Sequence, residues 1–292
     1  MKKKIKINNK NFKVDIKENL LKFLTPTTPG TKYYDSPPER TINKFEKGRI
    51  LLQTNQFLYL MNSIGYNLKN KSLLDVGAGN GIVPRLILNF TNLRKCDGTD
   101  PFYDGEHTTS WQKHDRDKLF LTLSKFLKDQ KNEFDISKYL NSLTQQDFSM
   151  RPGKIKLIRN KKTKKMKFYT FGAADLKKLK KKYDIIYCKA IEHISNLTEI
   201  IKNINFVTKK GSIVYFKHRS FFSYLGPHRY SSTGIPWGHV LMSSAEYKKY
   251  VSKFHKDRKK KMLNFYFSEI SYPRFTVNDI IKEFLNNGYQ MV

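Results

Sequence analysis

Cysteine is scarce in this sequence: only Cys96 and Cys188 occur among 292 residues. Two cysteines exclude a framework of several disulfides and a zinc site built from cysteine alone, and they fit a reducing compartment. No apolar run reaches the roughly 18 residues that a transmembrane helix needs. The basic segment 1–17 lacks the apolar stretch of a secretory signal. These absences predict a cytoplasmic protein without a transmembrane segment.

Acidic residues are also few: 25 Asp and Glu stand against 56 Lys and Arg, which gives a net charge of +31. This balance excludes an acidic, halophile-like surface and predicts non-specific attraction to polyanions. Lys supplies 45 of the basic residues and Arg 11, beside abundant Asn and Ile. Because AT-rich codons also produce such an excess, the charge alone does not identify a partner. Hydrophobic residues at 39% are enough to bury a core.

Short apolar runs alternate with segments of helical spacing along most of the chain. The runs, which are typical of strands buried on both faces, lie at 72–76, before 100, and at 167–171, 184–188 and 212–216. Helical spacing occurs at 43–64, 115–129, 135–146, 194–206 and before Gly288. This alternation predicts an α/β fold with a doubly wound, mostly parallel sheet. A last strand is expected after Gly288.

The predicted domain organisation follows from where the alternation of strands and helices begins, is interrupted and ends. Residues 1–66, a polar lead-in and then a helix, are expected to form an N-terminal helical cap. Residues 67–292 are expected to form the core. Within the core, 103–165 interrupts the alternation and is interpreted as an inserted helical subdomain.

The most informative segment is Asp75-Val76-Gly77-Ala78-Gly79-Asn80-Gly81, between a predicted strand and a predicted helix. Glycines in such a turn let the backbone approach a ligand closely, and the helix start presents unpaired N–H groups. Dinucleotide-binding turns have a third glycine at the position that Ile82 occupies here. The acid two residues before the first glycine would repel a pyrophosphate, whereas it suits a cofactor that carries an ammonium and a sulfonium.

This segment resembles motif I of class I S-adenosylmethionine-dependent methyltransferases. Asp100 follows Gly81 by 19 residues at a predicted strand end, where that family has an acid for the ribose hydroxyls. Residues 183–194 and 206–216 resemble the family's fourth-strand and fifth-strand motifs. The resemblance implies a Rossmann-like fold and S-adenosylmethionine as cofactor. The cofactor-binding residues that it implies are Asp75, Gly77, Ala78, Gly79, Gly81, Asp100, Pro101, Asp175 and Cys188.

The chain departs from the family pattern at two places. The acid that contacts adenine after the third strand is expected near 172–175, but position 173 is Ala, which leaves Asp175 as the candidate. The family usually ends with an antiparallel seventh strand, whereas this chain stops after what resembles the sixth.

Histidines supply the candidates for a general base, which an oxygen or nitrogen acceptor needs near neutral pH. His193 follows the fourth strand, at the edge where ligands bind parallel sheets. The irregular block 217–239 is rich in aromatic and titratable groups and is interpreted as the wall of the acceptor pocket. In it, His228 and His239 are base candidates, and Arg229, Tyr230 and Trp237 are candidates for substrate binding. The spacing of its histidines matches no metal-ligand motif, so no metal is predicted.

Two basic clusters leave nucleic acid open as a partner. Residues 154–182 hold thirteen Lys and Arg, and 248–261 hold eight. Nucleic-acid amino-methylating enzymes carry an Asn/Asp-Pro-Pro-aromatic tetrapeptide where this chain has Cys188-Lys189-Ala190-Ile191.

The favoured prediction is therefore methyl transfer to oxygen or nitrogen of a small molecule or saccharide. The alternatives are an RNA or DNA methyltransferase recruited by the basic clusters and a non-catalytic S-adenosylmethionine-binding protein.

Overall fold

A computed structural model describes most of the chain in fifteen segments. The described residues are 2–7, 10–15, 44–101, 113–130, 133–135, 154–158, 160, 163–189, 191–193, 196–218, 220–223, 233, 237–255, 259–269 and 274–292. The chain divides into two compact units. The sheet unit comprises 37–189, 202–216 and 291–292, and the aromatic unit comprises 1–36, 190–201 and 217–290.

Nine strands and eight α-helices are present in the described residues. The strands are β1 (Lys2–Ile7), β2 (Lys10–Asp15), β3 (Ser72–Val76), β4 (Lys95–Thr99), β5 (Glu133–Phe134), β6 (Ile155–Lys156), β7 (Lys167–Tyr169), β8 (Tyr183–Cys188) and β9 (Thr208–Phe216). The helices are α1 (Lys44–Ser63), α2 (Ile82–Asn89), α3 (Lys113–Asp129), α4 (Leu197–Val207), α5 (Gly238–Leu241), α6 (Ser244–Phe254), α7 (Lys259–Asn264) and α8 (Val277–Asn286). Two 3₁₀ helices, Ala173–Leu179 and Ile191–His193, and a π-helix, Phe265–Glu269, complete the elements.

The centre of the sheet unit is a five-stranded sheet in the order β7-β4-β3-β8-β9, with every neighbouring pair parallel. All five residues of β3 are buried, as expected for a strand covered on both faces. From β3 the chain runs outward to β4 and β7, then returns to β8 on the other side of β3. The strand order therefore reverses between β3 and β8, and parallel sheets bind ligands beyond the carboxyl ends at such a point.

Helices α1, α2 and α3 contribute to the main hydrophobic core of this unit. Apolar residues at helical spacing in α2, such as Ile82, Leu86 and Ile87, are fully buried. Phe57 of α1 meets the stacked rings of Tyr187 and Tyr215 edge-on, at centroid distances of 5.3 and 5.5 Å. Helix α1 therefore covers the face of the sheet that carries these two tyrosines.

One carboxylate joins three strands at their amino ends. Asp184 Oδ2 accepts hydrogen bonds from the backbone N–H of Ser72 (2.9 Å), from its hydroxyl (2.7 Å) and from the ammonium of Lys209 (2.9 Å). Burial by itself raises the pKa of Asp184, but these donors outweigh it and lower the pKa to about 2. Asp184 is thus a half-buried acid whose charge is compensated by three donors.

The α/β fold predicted from the sequence is confirmed, with parallel strands at the five expected places and helices at 44–63, 113–129, 197–207 and 277–286. The strand expected after Gly288 is wrong, because 289–292 have no regular structure. The helix expected at 135–146 lies outside the described residues beyond position 135. The antiparallel pairs β1–β2 and β5–β6 were not predicted. The expected boundaries of the cap, the core and the insertion at 103–165 stay predictions.

The aromatic unit holds a second cluster of buried side chains, formed by Phe221, Tyr247, Val251, Met262, Phe265 and Tyr266. Its helices α6 and α8 both begin with capping boxes, in which Ser243 pairs with Glu246 and Thr276 with Asp279.

None of the helices in the described parts of the chain has the length and apolar composition needed to cross a membrane.

Candidate cofactor and acceptor site

The glycine turn connects β3 to α2 through three left-handed residues. Gly77, Gly79 and Gly81 have φ values of 76°, 55° and 67°, a region that residues with a Cβ rarely adopt. The backbone N–H groups of Gly77 and Ala78 both donate to the carbonyl oxygen of Thr99, at 2.9 and 3.0 Å. The end of β4 therefore fixes the start of the turn.

Asp100 extends this contact between β4 and the turn. Its Oδ2 accepts a hydrogen bond of 2.7 Å from the backbone N–H of Gly79, and its own N–H donates to the carbonyl oxygen of Tyr169. The side chain is largely buried. The structure thus brings the turn and the acid at the end of β4 together, as the spacing from Gly81 predicts.

Gly81 and Gly98 leave room for the aromatic ring of Phe168. A Cβ added to Gly81 would lie 2.0 Å from Cζ of that ring, and one added to Gly98 would lie 2.4 Å from Met166 Cε. Phe168 on β7 pairs with Gly98 on β4, so its ring packs beneath the start of α2. These two glycines have a packing role, whereas a Cβ at Gly79 would meet no atom within 4 Å.

Asp75 is the unusual group of this site. It is 0% exposed, and within the described residues neither carboxylate oxygen has a hydrogen-bond partner. Burial raises its pKa to about 7; the positive charge of Lys189 opposes this rise and the negative charge of Asp100 adds to it. Buried carboxylates are normally paired, so an orphaned one at the end of a strand indicates a ligand group that completes it.

The other residues predicted to bind the cofactor differ in their exposure to solvent. Cys188 is buried at the end of β8, beside Val76 in the register of the sheet. Pro101 is exposed. Asp175 lies in the 3₁₀ helix that follows β7, where its carboxylate pairs with Lys178 at 2.9 Å and is partly exposed. Their roles toward a cofactor stay predictions.

Two of the three candidate bases are described, and both belong to the aromatic unit. His239 is 1% exposed, and its Nε2 hydrogen-bonds the carbonyl oxygen of Phe221, so this nitrogen carries the proton. Burial lowers its pKa to about 4, against the effect of that hydrogen bond and with a small further lowering by Arg274. His239 is therefore neutral at pH 7. His193 is half-buried in a 3₁₀ helix and meets Phe265 edge-on at 5.9 Å.

The acceptor side is only partly described. His228, Arg229 and Tyr230 lie outside the described residues, so their predicted roles stay predictions. Trp237 is 44% exposed, has a left-handed backbone with φ of 53°, and donates its indole N–H to the carbonyl oxygen of Phe222. Among the described side chains, no group of three or more His, Cys, Asp or Glu is placed to hold a metal ion.

Two further residues become notable in the structure: sequence reasoning missed Lys189, and it considered His218 only as a metal ligand among the histidines of 217–239, whose spacing matches no metal-ligand motif. Lys189 follows β8 directly and acts electrostatically on Asp75. His218 follows β9, and both of its ring nitrogens are buried without a hydrogen-bond partner in the described residues. No sequence motif marks either position. The signal that the sequence offers is that each residue follows a strand of the predicted parallel sheet.

A comparison with protein-family models agrees with the glycine motif. A family model described as a methyltransferase domain matches residues 56–233, which is more than half of the chain. A comparison with curated proteins finds no match.

Solved structures give distant likenesses. The YcgJ protein from Bacillus subtilis is 14% identical with a TM-score of 0.33, over 68% of this chain and 67% of its own. The plantazolicin methyltransferase BpumL, solved with S-adenosylhomocysteine (SAH), is 14% identical with a TM-score of 0.37, over 93% and 90%. A Thiobacillus denitrificans methyltransferase, also with SAH, is 14% identical with a TM-score of 0.29, over 70% and 56%.

Proposed function

The chain belongs to the methyltransferase family whose domain model it matches, and we propose that it transfers a methyl group from S-adenosylmethionine to oxygen or nitrogen of a small molecule or saccharide. The observation that carries the cofactor assignment is Asp75, a fully buried carboxylate just before the glycine turn that has no hydrogen-bond partner among the residues that the structure describes. An ammonium group is the partner that such a carboxylate lacks.

The residues around the turn fit this cofactor. Gly79 leaves open space above the turn, and Asp100 accepts a hydrogen bond from the Gly79 N–H, which supports Asp100 as the carboxylate that would bind the ribose hydroxyls. The cofactor, when bound, supplies a methyl group already activated on a sulfonium. The residues of the chain are then required to bind, to align and to exclude water.

The acceptor side needs a group that removes a proton from oxygen or nitrogen. His193, His228 and His239 remain the proposed bases, and Arg229, Tyr230 and Trp237 the proposed acceptor contacts. His239 could accept a proton only at Nδ1, because its Nε2–H already donates a hydrogen bond to the carbonyl oxygen of Phe221. Its lowered pKa leaves Nδ1 unprotonated at pH 7, as a base must be.

A nucleic acid acceptor is the second candidate, favoured by the lysines at one edge of the sheet unit. Lys165, Lys167 and Lys178 are exposed on and near the edge strand β7, with the ammonium of Lys167 over the ring of Tyr169 at 5.0 Å. Lysines interleaved with an aromatic ring suit a phosphate backbone with its bases. Their arrangement on an edge strand equally protects the sheet from pairing with another chain, so the first proposal stays preferred.

Transfer of a labelled methyl group distinguishes these acceptors. The protein is incubated with S-adenosylmethionine labelled on its methyl group, in parallel with total RNA and with a nuclease-treated extract of metabolites and saccharides. We expect protein-dependent label in the nuclease-treated extract. Label confined to RNA and abolished by nuclease would support the second candidate. Cofactor binding without label in either pool would indicate a non-catalytic binding protein.

A further inference from the structure

Two lysine ammonium groups lie beside the ring of Tyr169, on the edge strand of the central sheet. The ammonium of Lys167, two residues earlier on β7, is 5.0 Å from the ring centre, and that of Lys181 is 5.6 Å from it. Lys181 also donates a hydrogen bond of 3.0 Å to the Tyr169 hydroxyl. These three residues define the Tyr169 surface. Both lysines are exposed and the tyrosine is partly exposed, so a partner in solution can reach all three side chains.

The donors of the Tyr169 surface are available to a partner. Neither Lys167 nor Lys181 makes an ion pair with a residue that the structure describes. The acid opposite Lys167 in the strand register is Asp97, but its carboxylate is buried and pairs with Lys95 at 2.8 Å. The Tyr169 hydroxyl accepts a hydrogen bond from Lys181, so its own hydrogen can be donated elsewhere. Two ammonium groups and one hydroxyl donor therefore stand together, which suits an anion rich in acceptor oxygens.

Positive charge continues along the chain on both sides of this surface. Segment 163–182 contains eight lysines and a single acid, Asp175, whose carboxylate pairs with Lys178 at 2.9 Å. The exposed lysines that flank the surface are Lys165, Lys180 and Lys182. Ammonium groups spread along a surface suit the repeated phosphates of a nucleic acid strand, whereas a small ligand is usually held in a concave site.

Protection of the sheet edge does not account for Lys181. A lysine on the edge strand itself, such as Lys167, discourages pairing with another chain. Lys181 instead directly precedes the start of β8, which two strands separate from β7. Its side chain nevertheless reaches Tyr169 and adds a second positive charge beside the same ring. The two charges repel each other, and an anionic partner relieves this repulsion.

We propose that the Tyr169 surface binds the phosphates of a single-stranded nucleic acid, whichever molecule accepts the methyl group. Lys167 and Lys181 neutralise phosphates, and the Tyr169 hydroxyl donates to a phosphate oxygen. Phe171 is partly exposed with its ring centre 5.7 Å from that of Tyr169, and aromatic rings beside lysines suit unpaired bases. Phosphate contacts carry no sequence information, so the surface is expected to hold a strand without reading it. Binding here requires neither the cofactor nor methyl transfer, and it therefore goes beyond the proposed function.

Fluorescence anisotropy of a labelled oligouridylate of about 12 nucleotides tests the assignment. Lys167→Gln/Lys181→Gln is compared with Lys202→Gln/Lys210→Gln, which removes two exposed lysines elsewhere in the sheet unit and gives the same net charge. At about 50 mM salt the first pair is expected to weaken binding at least about tenfold. It is also expected to reduce the slope of log affinity against log salt by about 1.4, since each lost phosphate contact removes about 0.7. The control pair is expected to bind within about threefold of wild type with an unchanged slope.

The opposite results would overturn the assignment. Equal losses of affinity in the two double variants would show that net charge alone attracts the strand, and a folded wild type that does not bind would show that nothing does. ATP is expected to displace the oligouridylate only at about a hundredfold excess or more, and displacement by equimolar ATP would contradict a strand as the partner. If Lys167→Gln/Lys181→Gln melts well below wild type, Lys181→Gln replaces it, with an expected slope change of about 0.7.

Discussion

Asp75→Asn is expected to resist unfolding at pH 8 better than wild type and to lose affinity for SAH. The carboxyl has a pKa of about 7 in the folded protein, raised by burial from an ordinary value of 3.8. As pH rises from 3.8 to about 7, this carboxyl ionises in the unfolded state but stays protonated in the folded state, where its buried charge would have no hydrogen-bond partner within the described residues, and the difference costs stability. The shift corresponds to about 4 kcal/mol, from which an unpaired buried amide subtracts about 1–3 kcal/mol. A net gain of about 1–3 kcal/mol is predicted.

The sign of the pH dependence follows from the raised pKa. A carboxyl whose pKa is higher in the folded state favours folding below the unfolded value of 3.8, and this contribution is lost as pH rises through about 7. The stability difference between Asp75→Asn and wild type is therefore expected to be small at pH 5 and to grow towards pH 8. Urea denaturation at both pH values measures it.

Asp184→Asn is the matched control, because Asp184 is also a poorly exposed acid on the sheet but has three donors. Its lowered pKa gives the opposite sign: its contribution is present above pH 3.8 and is lost as pH falls through about 2. At pH 8 this control is expected to lose about 2 kcal/mol of stability.

Asp75→Asn is expected to bind SAH about a hundredfold more weakly, since a neutral amide replaces the partner of the ammonium. Wild-type affinity should rise from pH 6 to pH 8 as Asp75 ionises, and the variant should not show this rise. A variant that is less stable than wild type at pH 8 and binds SAH normally would contradict the assignment.

Gly81→Ala has the second large expected effect. A Cβ at this position would lie 2.0 Å from Cζ of Phe168, and the residue has a φ of 67°. The left-handed backbone costs about 1–2 kcal/mol for alanine, and overpacking adds about 1–3 kcal/mol. We expect a loss of about 2–5 kcal/mol in the free energy of unfolding, measured by denaturant titration.

Gly65→Ala separates these two contributions. Gly65 has a φ of 65°, but a Cβ there would meet no atom within 4 Å. It is expected to lose only the backbone cost of about 1–2 kcal/mol. In a Phe168→Ala background, Gly81→Ala should approach this smaller value. Equal losses for the two glycine variants in the wild-type background would show that packing against Phe168 is not the reason for Gly81.

The sequence predicted the central sheet because its strands are buried on both faces and read as short apolar runs. The spacing of the glycines after Asp75 predicted the turn between β3 and α2, because a turn of this kind needs glycine at the positions with a left-handed backbone. The distance in sequence from Gly81 to Asp100 predicted that Asp100 ends the next strand. The β1–β2 pair escaped prediction, because Lys2–Ile7 and Lys10–Asp15 are rich in lysine and carry little apolar signal. The β5–β6 pair has two residues in each strand, too few to show a period.

Long-range pairing explains what the sequence could not show about the site. The proximity of Lys189 to Asp75 depends on the register between β3 and β8, whose partners are more than a hundred residues apart. His239 was selected for its titratable ring, but its contact with the carbonyl of Phe221 becomes visible only in the folded chain. Such contacts link residues that no local pattern connects.

The most direct test of this account is a calorimetric titration of SAH into wild type and Asp100→Ala at pH 8. Asp100 is held by the Gly79 N–H at the glycine turn, where the ribose of the cofactor is proposed to bind. The account predicts micromolar binding by wild type and its loss in Asp100→Ala that remains folded. A folded wild type that does not bind SAH, or a variant that binds it equally well, would contradict the placement of the cofactor at this turn.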